Sequence, residues 1–323
     1  MVIQKNEKLL TFDLPSGAII YNTFTKKSHR LGIAEYSVFK AIDGKCTIDE
    51  LASITGYDTP SVYALLKLFD TYGFLASSEM KTDKQTSKKH TLVYKASFLD
   101  AFSKSAYKNI FDLLVLSAFP LLIAAIVFMQ GKIDVDMMID SANIVHVLVM
   151  DLILAVSIGL HEIFHAIAAK SNGAFCAEIG YTFDFLTPMA YTTLCGIDEI
   201  KSKLRRIEVY FAGISANALI ATISLLLMNM SSLNGSLFMF LVFACNLCLI
   251  IVNCITLFKS DGYYIFCNIF NTMTLKEDMI AMLKGKIHIT PARVLYFILS
   301  YLLEPAAIIV LLITAINKIG GNM

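Results

Sequence analysis

The sequence predicts an α-helical integral membrane protein of about five spans, preceded by a small α+β domain of winged-helix-like form. Three observations carry this. The 323 residues are 56% hydrophobic and 16% charged, with a mean hydropathy of +0.65, which is more apolar and less charged than a soluble domain. Five apolar runs meet the roughly 17–25-residue length of a spanning helix: Ile110–Met129, Ile144–Ala169, Ile207–Met230, Leu237–Phe258 and Val294–Ile316. Residues 1–78 read instead as a small soluble domain, punctuated by helix and turn signals.

Charge and cysteine usage narrow the function classes. A net charge of +1 gives no electrostatic reason to expect nucleic acid as a partner. The seven cysteines are odd in number and irregularly spaced, which argues against a disulfide framework. Cys245 and Cys248 fall in mid-span, where they read as small packing thiols. Met1 to Glu7 is polar and no apolar signal run follows it.

In the N-terminal domain, Gly17 to Phe24 and Lys26 to Gly32 suggest a hairpin. Ala34 to Ile42 reads as a short helix stopped near Asp43 and Gly44. Thr47 and Glu50 form a capping box that starts the next helix. Thr59 and Pro60 cap a third, in which Val62, Leu65, Leu66, Phe69 and Tyr72 fall at helical spacing before Gly73. Phe74 and Leu75 look like a closing strand. The third helix carries only Lys67 as a base, offset by Asp70, so the electrostatic footprint of a DNA reader is missing.

The run from Ala41 to Leu51 (A-I-D-G-K-C-T-I-D-E-L) and that from Tyr72 to Leu75 (Y-G-F-L) resemble the PqqD-like recognition element of ribosomally made, modified peptides (RiPPs). The resemblance implies that residues 9–78 bind the leader of a precursor peptide by strand addition at a sheet edge. A purely structural module is the other reading.

Residues 79–109 read as a basic linker. Lys81, Lys84, Lys88, Lys89, Lys95, Lys104 and Lys108 outnumber Glu79, Asp83 and Asp100. Lysines just before an apolar run are a positive-inside signal, which puts the N-terminus in the cytoplasm. The loop at 130–143 is acidic, whereas those at 170–206 and 259–293 are basic. The basic loops then share the cytoplasmic side, and the C-terminus lies outside.

The membrane half, residues 110–323, carries the chemistry. His161-Glu162-Ile163-Phe164-His165 is an H-E-x-x-H motif in the second span. On a helix, residues i and i+4 share a face, with Cβ atoms roughly 5–6 Å apart. Two imidazoles so placed can converge on one Zn²⁺. Glu162 then stands where a general base is needed. From Ile144 to His161 is about 25 Å of helix, so the motif lies in the cytoplasmic third of the membrane. Asp261 follows the end of the fourth span at similar depth and can complete a His₂Asp site. Asp151 shares the face of His165 but lies about 21 Å away along the axis. Asp112 is expected to face headgroups, and Glu304 sits deep enough to need a partner.

The stretch from Asn253 to Gly262 (N-C-I-T-L-F-K-S-D-G) resembles the N-x-x-P-x-x-x-x-D-G motif of the site-2 protease family of intramembrane zinc metalloproteases, with Thr256 in place of Pro. Ala212 to Asn217 (A-G-I-S-A-N) resembles the same family's A-G-P-x-x-N, with Ile214 in place of Pro. The resemblance implies His161, His165 and Asp261 as zinc ligands, Glu162 as general base, and Asn217 and Asn253 as substrate-binding residues. Residues 174–195, aromatic and β-branched around Pro188, look like a hairpin. They resemble the re-entrant hairpin that lends an edge to an unwound substrate.

The function expected from these residues is a zinc endopeptidase of the cell membrane, acting near its cytoplasmic side to remove a RiPP leader. The lipid bilayer is an expected partner, with a peptide-modifying enzyme or an exporter as further ones. Regulated intramembrane proteolysis of a membrane-anchored signalling protein is one alternative. A non-catalytic peptide-binding immunity protein is another, which the presence of Glu162 opposes because binding alone needs no base.

Overall fold

The structure is a computed structural model and describes residues 3–76, 91–95, 99, 105–130, 144–184, 187–230, 233–272, 274–310 and 313. Most of the linker expected at 79–109, nearly all of the loop expected at 130–143 and the end of the fifth expected span lie outside them. The chain forms two compact units. The first comprises Met1–Lys89 with Phe175–Ala177 and Thr193–Gly196, and the second comprises the rest.

In the first unit, β1 (Leu9–Leu14), β2 (Gly17–Asn22) and β3 (Lys27–Gly32) form an antiparallel meander in that order. Gly17 opens β2 at φ +137°, and a Cβ there would strike the Leu31 carbonyl, so the β1–β2 turn requires glycine. Three helices follow: α1 (Ile33–Ala41), α2 (Ile48–Thr55) and α3 (Thr59–Thr71). The Thr47–Glu50 capping box forms, with Thr47 N–H donating to Glu50 Oε2 at 2.8 Å.

Every residue of β2 is buried, because side chains alternate between two covered faces. Ala18 and Ile20 join Leu31, Val38, Phe39, Leu51, Val62, Phe69 and Phe74 in the helix-side core. Ile19 and Tyr21 pack with Ala177 and Cys195. Two expectations are corrected here. The sheet has three strands rather than two, with β1 added to the expected hairpin. The closing strand is only a bridge between Leu75 and Lys5, with Asn6 N–H donating to Phe74 O at 2.8 Å.

The second unit is mostly helical. Its first elements are β4 (Thr91–Lys95), α4 (Ser105–Met129), α5 (Ile144–Ser171) and the greater part of β5 (Phe175–Asp184) and β6 (Thr187–Cys195), from Glu178 to Thr192. Then come α6 (Lys203–Met228), α7 (Leu233–Cys254), α8 (Asp261–Ile269), α9 (Leu275–Leu283) and α10 (Pro291–Phe297). Among the described residues, five helices are long and apolar enough to cross a membrane: Tyr107–Met129, Leu148–Ser171, Lys203–Met228, Leu237–Cys254 and Pro291–Val310. Each overlaps one of the five runs read from the sequence, with ends that differ by a few residues. The basic loop expected at 259–293 is largely helical, as α8 and α9. The expected hairpin forms as β5 and β6, but β4 adds a third strand to it, in the order β4-β5-β6. A short apolar and aromatic run, Leu92-Val93-Tyr94, explains β4, which the surrounding lysines obscure.

The central element is α6, which packs against α4, α5, α7 and α8. Its inner surface is built from Ala212, Gly213, Ser215, Ala216, Ala218, Ala221 and Ser224, all buried. Small residues let helix backbones approach closely where apolar burial alone gives no drive. Ala118, Leu122 and Ala125 of α4 fill that surface from one direction.

α7 ends at Cys254, and residues 255–260 form an irregular segment before α8. The break forms with Thr256 rather than proline. Beyond α10 the helix widens into a π turn, Ile298–Leu303, and resumes through residue 310. Pro305 lacks an N–H and its ring would crowd the carbonyl of Tyr301, which favours a local π turn.

Candidate metal centre

His161 and His165 lie one turn apart on α5, and both are 5% exposed. Their Nε2 atoms stand 3.0 Å apart. Asp261, the first residue of α8, places Oδ2 at 2.9 Å from His161 Nε2 and 3.2 Å from His165 Nε2. These ligand-type atoms all lie within 4.8 Å of one another, the grouping expected of a metal site. Burial raises the affinity of the Asp261 carboxyl for a proton, but the adjacent imidazoles outweigh it and hold the group below the ordinary carboxylate range.

The surrounding backbone makes this convergence possible. Gly213 of α6 faces the two rings, and a Cβ there would stand 2.6 Å from His161 Nε2 and nearer still to His165 Nε2. On the Asp261 side, Glu304 holds the broken segment. Its carboxylate accepts from Thr256 N–H and Thr256 Oγ1, each at 2.8 Å, and from Leu257 N–H at 3.0 Å. Tyr296 Oη donates to Thr256 O at 3.1 Å, and Ser300 Oγ lies 2.6 Å from Thr256 Oγ1. The partner that Glu304 requires is therefore the start of the segment carrying Asp261. Gly262 is also required, because a Cβ there would lie 2.7 Å from Cys254 O.

Each ring is anchored through its other nitrogen. His165 Nδ1 lies 2.7 Å from Val209 O. A carbonyl only accepts, so Nδ1 carries the proton and Nε2 presents a lone pair. His161 Nδ1 lies 2.6 Å from Asn217 Oδ1. Such partners behind a histidine are characteristic of metal ligands. The donor spacing of 2.9–3.2 Å is close to the roughly 3.3 Å between donors of a tetrahedral site with 2.0–2.1 Å bonds. Two ring lone pairs and a carboxylate oxygen at this range repel one another unless a cation, metal or proton, lies among them. The residues therefore fit a divalent ion of the zinc type.

The remaining expected site residues are placed as follows. Glu162 is half-buried, and its carboxylate stands outside the converging group. Its backbone carbonyl accepts from Thr192 Oγ1 of β6 at 3.0 Å. Asn217 is fully buried, with its amide engaged by His161 and by Asn246. It stands behind a histidine of the converging group. Asn253 donates to Leu249 O within its own helix at 3.0 Å, and the structure does not bring its side chain to the three donors. Asp151 is exposed. Asp112 is paired with Arg205 at 2.6 Å, and the same guanidinium reaches Glu208 at 2.7 Å.

The hairpin is fastened to the motif helix at two points. Besides the Thr192 bond, Tyr181 Oη of β5 donates to Ala155 O at 3.0 Å. The tyrosine fits only because residue 159 is glycine: a Cβ there would collide with Tyr181 Oη and lie 2.9 Å from Cζ. Asn246 and the backbone donors facing Glu304 carry no sequence motif. The available signals were an amide in mid-span and an unexplained acid before Pro305. No protein-family model, curated protein or solved structure matches this chain.

Proposed function

We propose that this chain is a membrane-embedded zinc endopeptidase of the site-2 protease type, which removes the leader of a ribosomally made, modified peptide. The observation that carries the reading is the convergence of His161, His165 and Asp261 within a bundle of apolar helices, with Glu162 beside them and outside the donor group. Zinc in this donor set supplies Lewis acidity, which brings water within reach of deprotonation near neutral pH and polarises a scissile carbonyl. Glu162 takes the proton of the attacking water and returns it to the departing amine. Asn217 and the Val209 carbonyl hold the two imidazoles in place behind the site.

Substrate presentation follows from the sheet. β6 is an edge strand, and its Thr192 is bonded to the backbone of Glu162. An extended peptide added to that edge finds replacements for the hydrogen bonds lost when a helix unwinds. In the first unit, β3 is likewise an edge, available to a leader strand in the PqqD-like manner. The basic residues of the 170–206 and 259–293 segments favour a cytoplasmic position for the N-terminus and for this site.

The test uses the full chain in lipid nanodiscs with a precursor peptide. Glu162→Gln should keep one zinc per chain and lose cleavage by about 10²–10⁴-fold, the usual contribution of a general acid–base group. Undiminished processing by this variant would remove the hydrolase reading. The same peptide with its leader shortened to the few residues flanking the scissile bond should be cut far less efficiently; equal efficiency would set aside the leader-recognition role alone. That comparison is cleaner than deleting residues 1–78, which would also uncover Ala177 and Cys195 from their packing with Ile19 and Tyr21.

A further inference from the structure

Behind His161 runs a chain of buried amides that the proposed reaction does not use. It joins three apolar helices: Asn217 on α6, Asn246 on α7 and Ser157 on α5. Asn217 and Asn246 are both 0% exposed. Asn246 Nδ2 lies 2.8 Å from Val242 O and 3.0 Å from Ser157 Oγ. Asn217 Nδ2 lies 2.9 Å from Asn246 Oδ1, and Asn217 Oδ1 lies 2.6 Å from His161 Nδ1.

The direction of every bond in this chain follows from its far end. The Val242 carbonyl can only accept, so the Asn246 atom facing it is the NH₂ group. Asn246 therefore turns its oxygen toward Asn217, which must donate there. That leaves the Asn217 oxygen facing the ring, and an amide oxygen only accepts. The proton of neutral His161 must then sit on Nδ1, with the Nε2 lone pair directed at His165 and Asp261.

Asn217 could not impose this alone. An amide flipped by half a turn has nearly the same shape, and its NH₂ would then face Nδ1. The ring proton would move to Nε2 and close that nitrogen to a metal. His165 needs no such relay, because its partner, Val209 O, cannot be inverted.

We infer that Asn246, acting through Asn217, fixes the tautomer of His161 and is a positioning residue for the metal-binding nitrogen. The inference rests on the reading of His161 as a ligand, yet the tautomer can be measured without metal. A partner of this kind typically changes metal affinity by about 10–100-fold.

The test labels the six histidines of the full chain with ¹⁵N in nanodiscs and assigns His161 by difference from His161→Ala. In metal-free wild type, His161 should carry a proton on Nδ1, whether Nε2 is bare or shares the proton held among the three donors. Asn246→Leu should shift it toward Nε2–H and weaken zinc binding by about 10–100-fold. Adding Asn217→Asp to Asn246→Leu should restore Nδ1–H, because a carboxylate has no donor to turn toward the ring. A merely structural role predicts further damage from that second change.

Wild type whose His161 Nδ1 carries no proton overturns the relay, whether or not Asn246→Leu folds. So does Asn246→Leu with unchanged tautomer and affinity, or a double variant that stays Nε2–H. A wild-type chain that takes up no zinc refutes the metal reading instead, and the metal-free tautomers still decide the relay.

Discussion

Gly213→Ala tests the geometry of the metal centre with a single methyl group. The added Cβ would lie 2.6 Å from His161 Nε2 and closer to His165 Nε2, where ordinary contact begins near 3.4 Å. Each ring nitrogen must therefore withdraw by about 0.8 Å or more to reach normal contact distance. Metal–donor distances hold to within about ±0.2 Å, so the site loses at least one ligand. Zinc affinity should fall by more than about 100-fold, beyond the usual effect of an outer-shell change.

The fold should survive the same substitution. Alanine is favoured over glycine in a helix by about 0.8–1.0 kcal/mol, which offsets part of the roughly 1–3 kcal/mol cost of overpacking. Metal-free Gly213→Ala should therefore melt within a few degrees of metal-free wild type. The assay is zinc per chain after detergent extraction, titrated against a chelator, alongside thermal unfolding of the metal-free proteins. A Gly213→Ala protein that holds zinc as tightly as wild type would refute the reasoning, because the imidazoles could not then face α6 as described.

Other perturbations test the supporting structure. Glu304→Ala leaves Thr256 N–H, Thr256 Oγ1 and Leu257 N–H without their acceptor; at about 1–3 kcal/mol for a buried unsatisfied group, it should lower both the melting temperature and zinc retention. Unchanged values in both would remove Glu304 from the support of Asp261. Gly159→Ala should displace Tyr181 and raise KM while zinc stays bound, and Tyr181→Phe should relieve it in part by deleting the colliding oxygen; a KM equal to wild type would detach the hairpin from substrate binding. His29 stacks on Tyr72 with ring centres 3.8 Å apart, and burial, with a smaller contribution from Lys27, lowers its pKa. The unfolded chain thus binds the proton more readily, so stability of the first unit is full above about pH 6.5 and declines as pH falls below it. Hydrogen exchange across residues 9–76 at pH 5.5 and 7.5 should show this slope in wild type and a flatter one in His29→Gln.

Local geometry explains what the sequence made legible. The H-E-x-x-H spacing fixes a shared helix face wherever the helix lies, and span length is set by the bilayer, so His161, His165 and the five apolar helices could be read directly. Asp261 was accessible only through its position after a span and its spacing from Asn253. Asn217 was legible as a polar residue in a span, but its partner was not. Its contact with Asn246 joins residues 29 apart on different helices, and amides in spans have no periodic signature. Glu304 was recognisable as a buried acid, whereas the groups it serves are backbone N–H donors that every residue but proline possesses. β1 and β4 were missed for a different reason. β1 is a short alternating run beside a turn glycine, and β4 is a short apolar run without alternation amid lysines.

The most direct test of the central claim is zinc-edge X-ray absorption on the purified wild-type chain. The account predicts one zinc per chain, bound by two imidazole nitrogens at about 2.0–2.1 Å together with oxygen and no sulfur, and loss of that signal in Asp261→Ala. Absence of zinc from active protein, or a first shell containing cysteine sulfur, would contradict it.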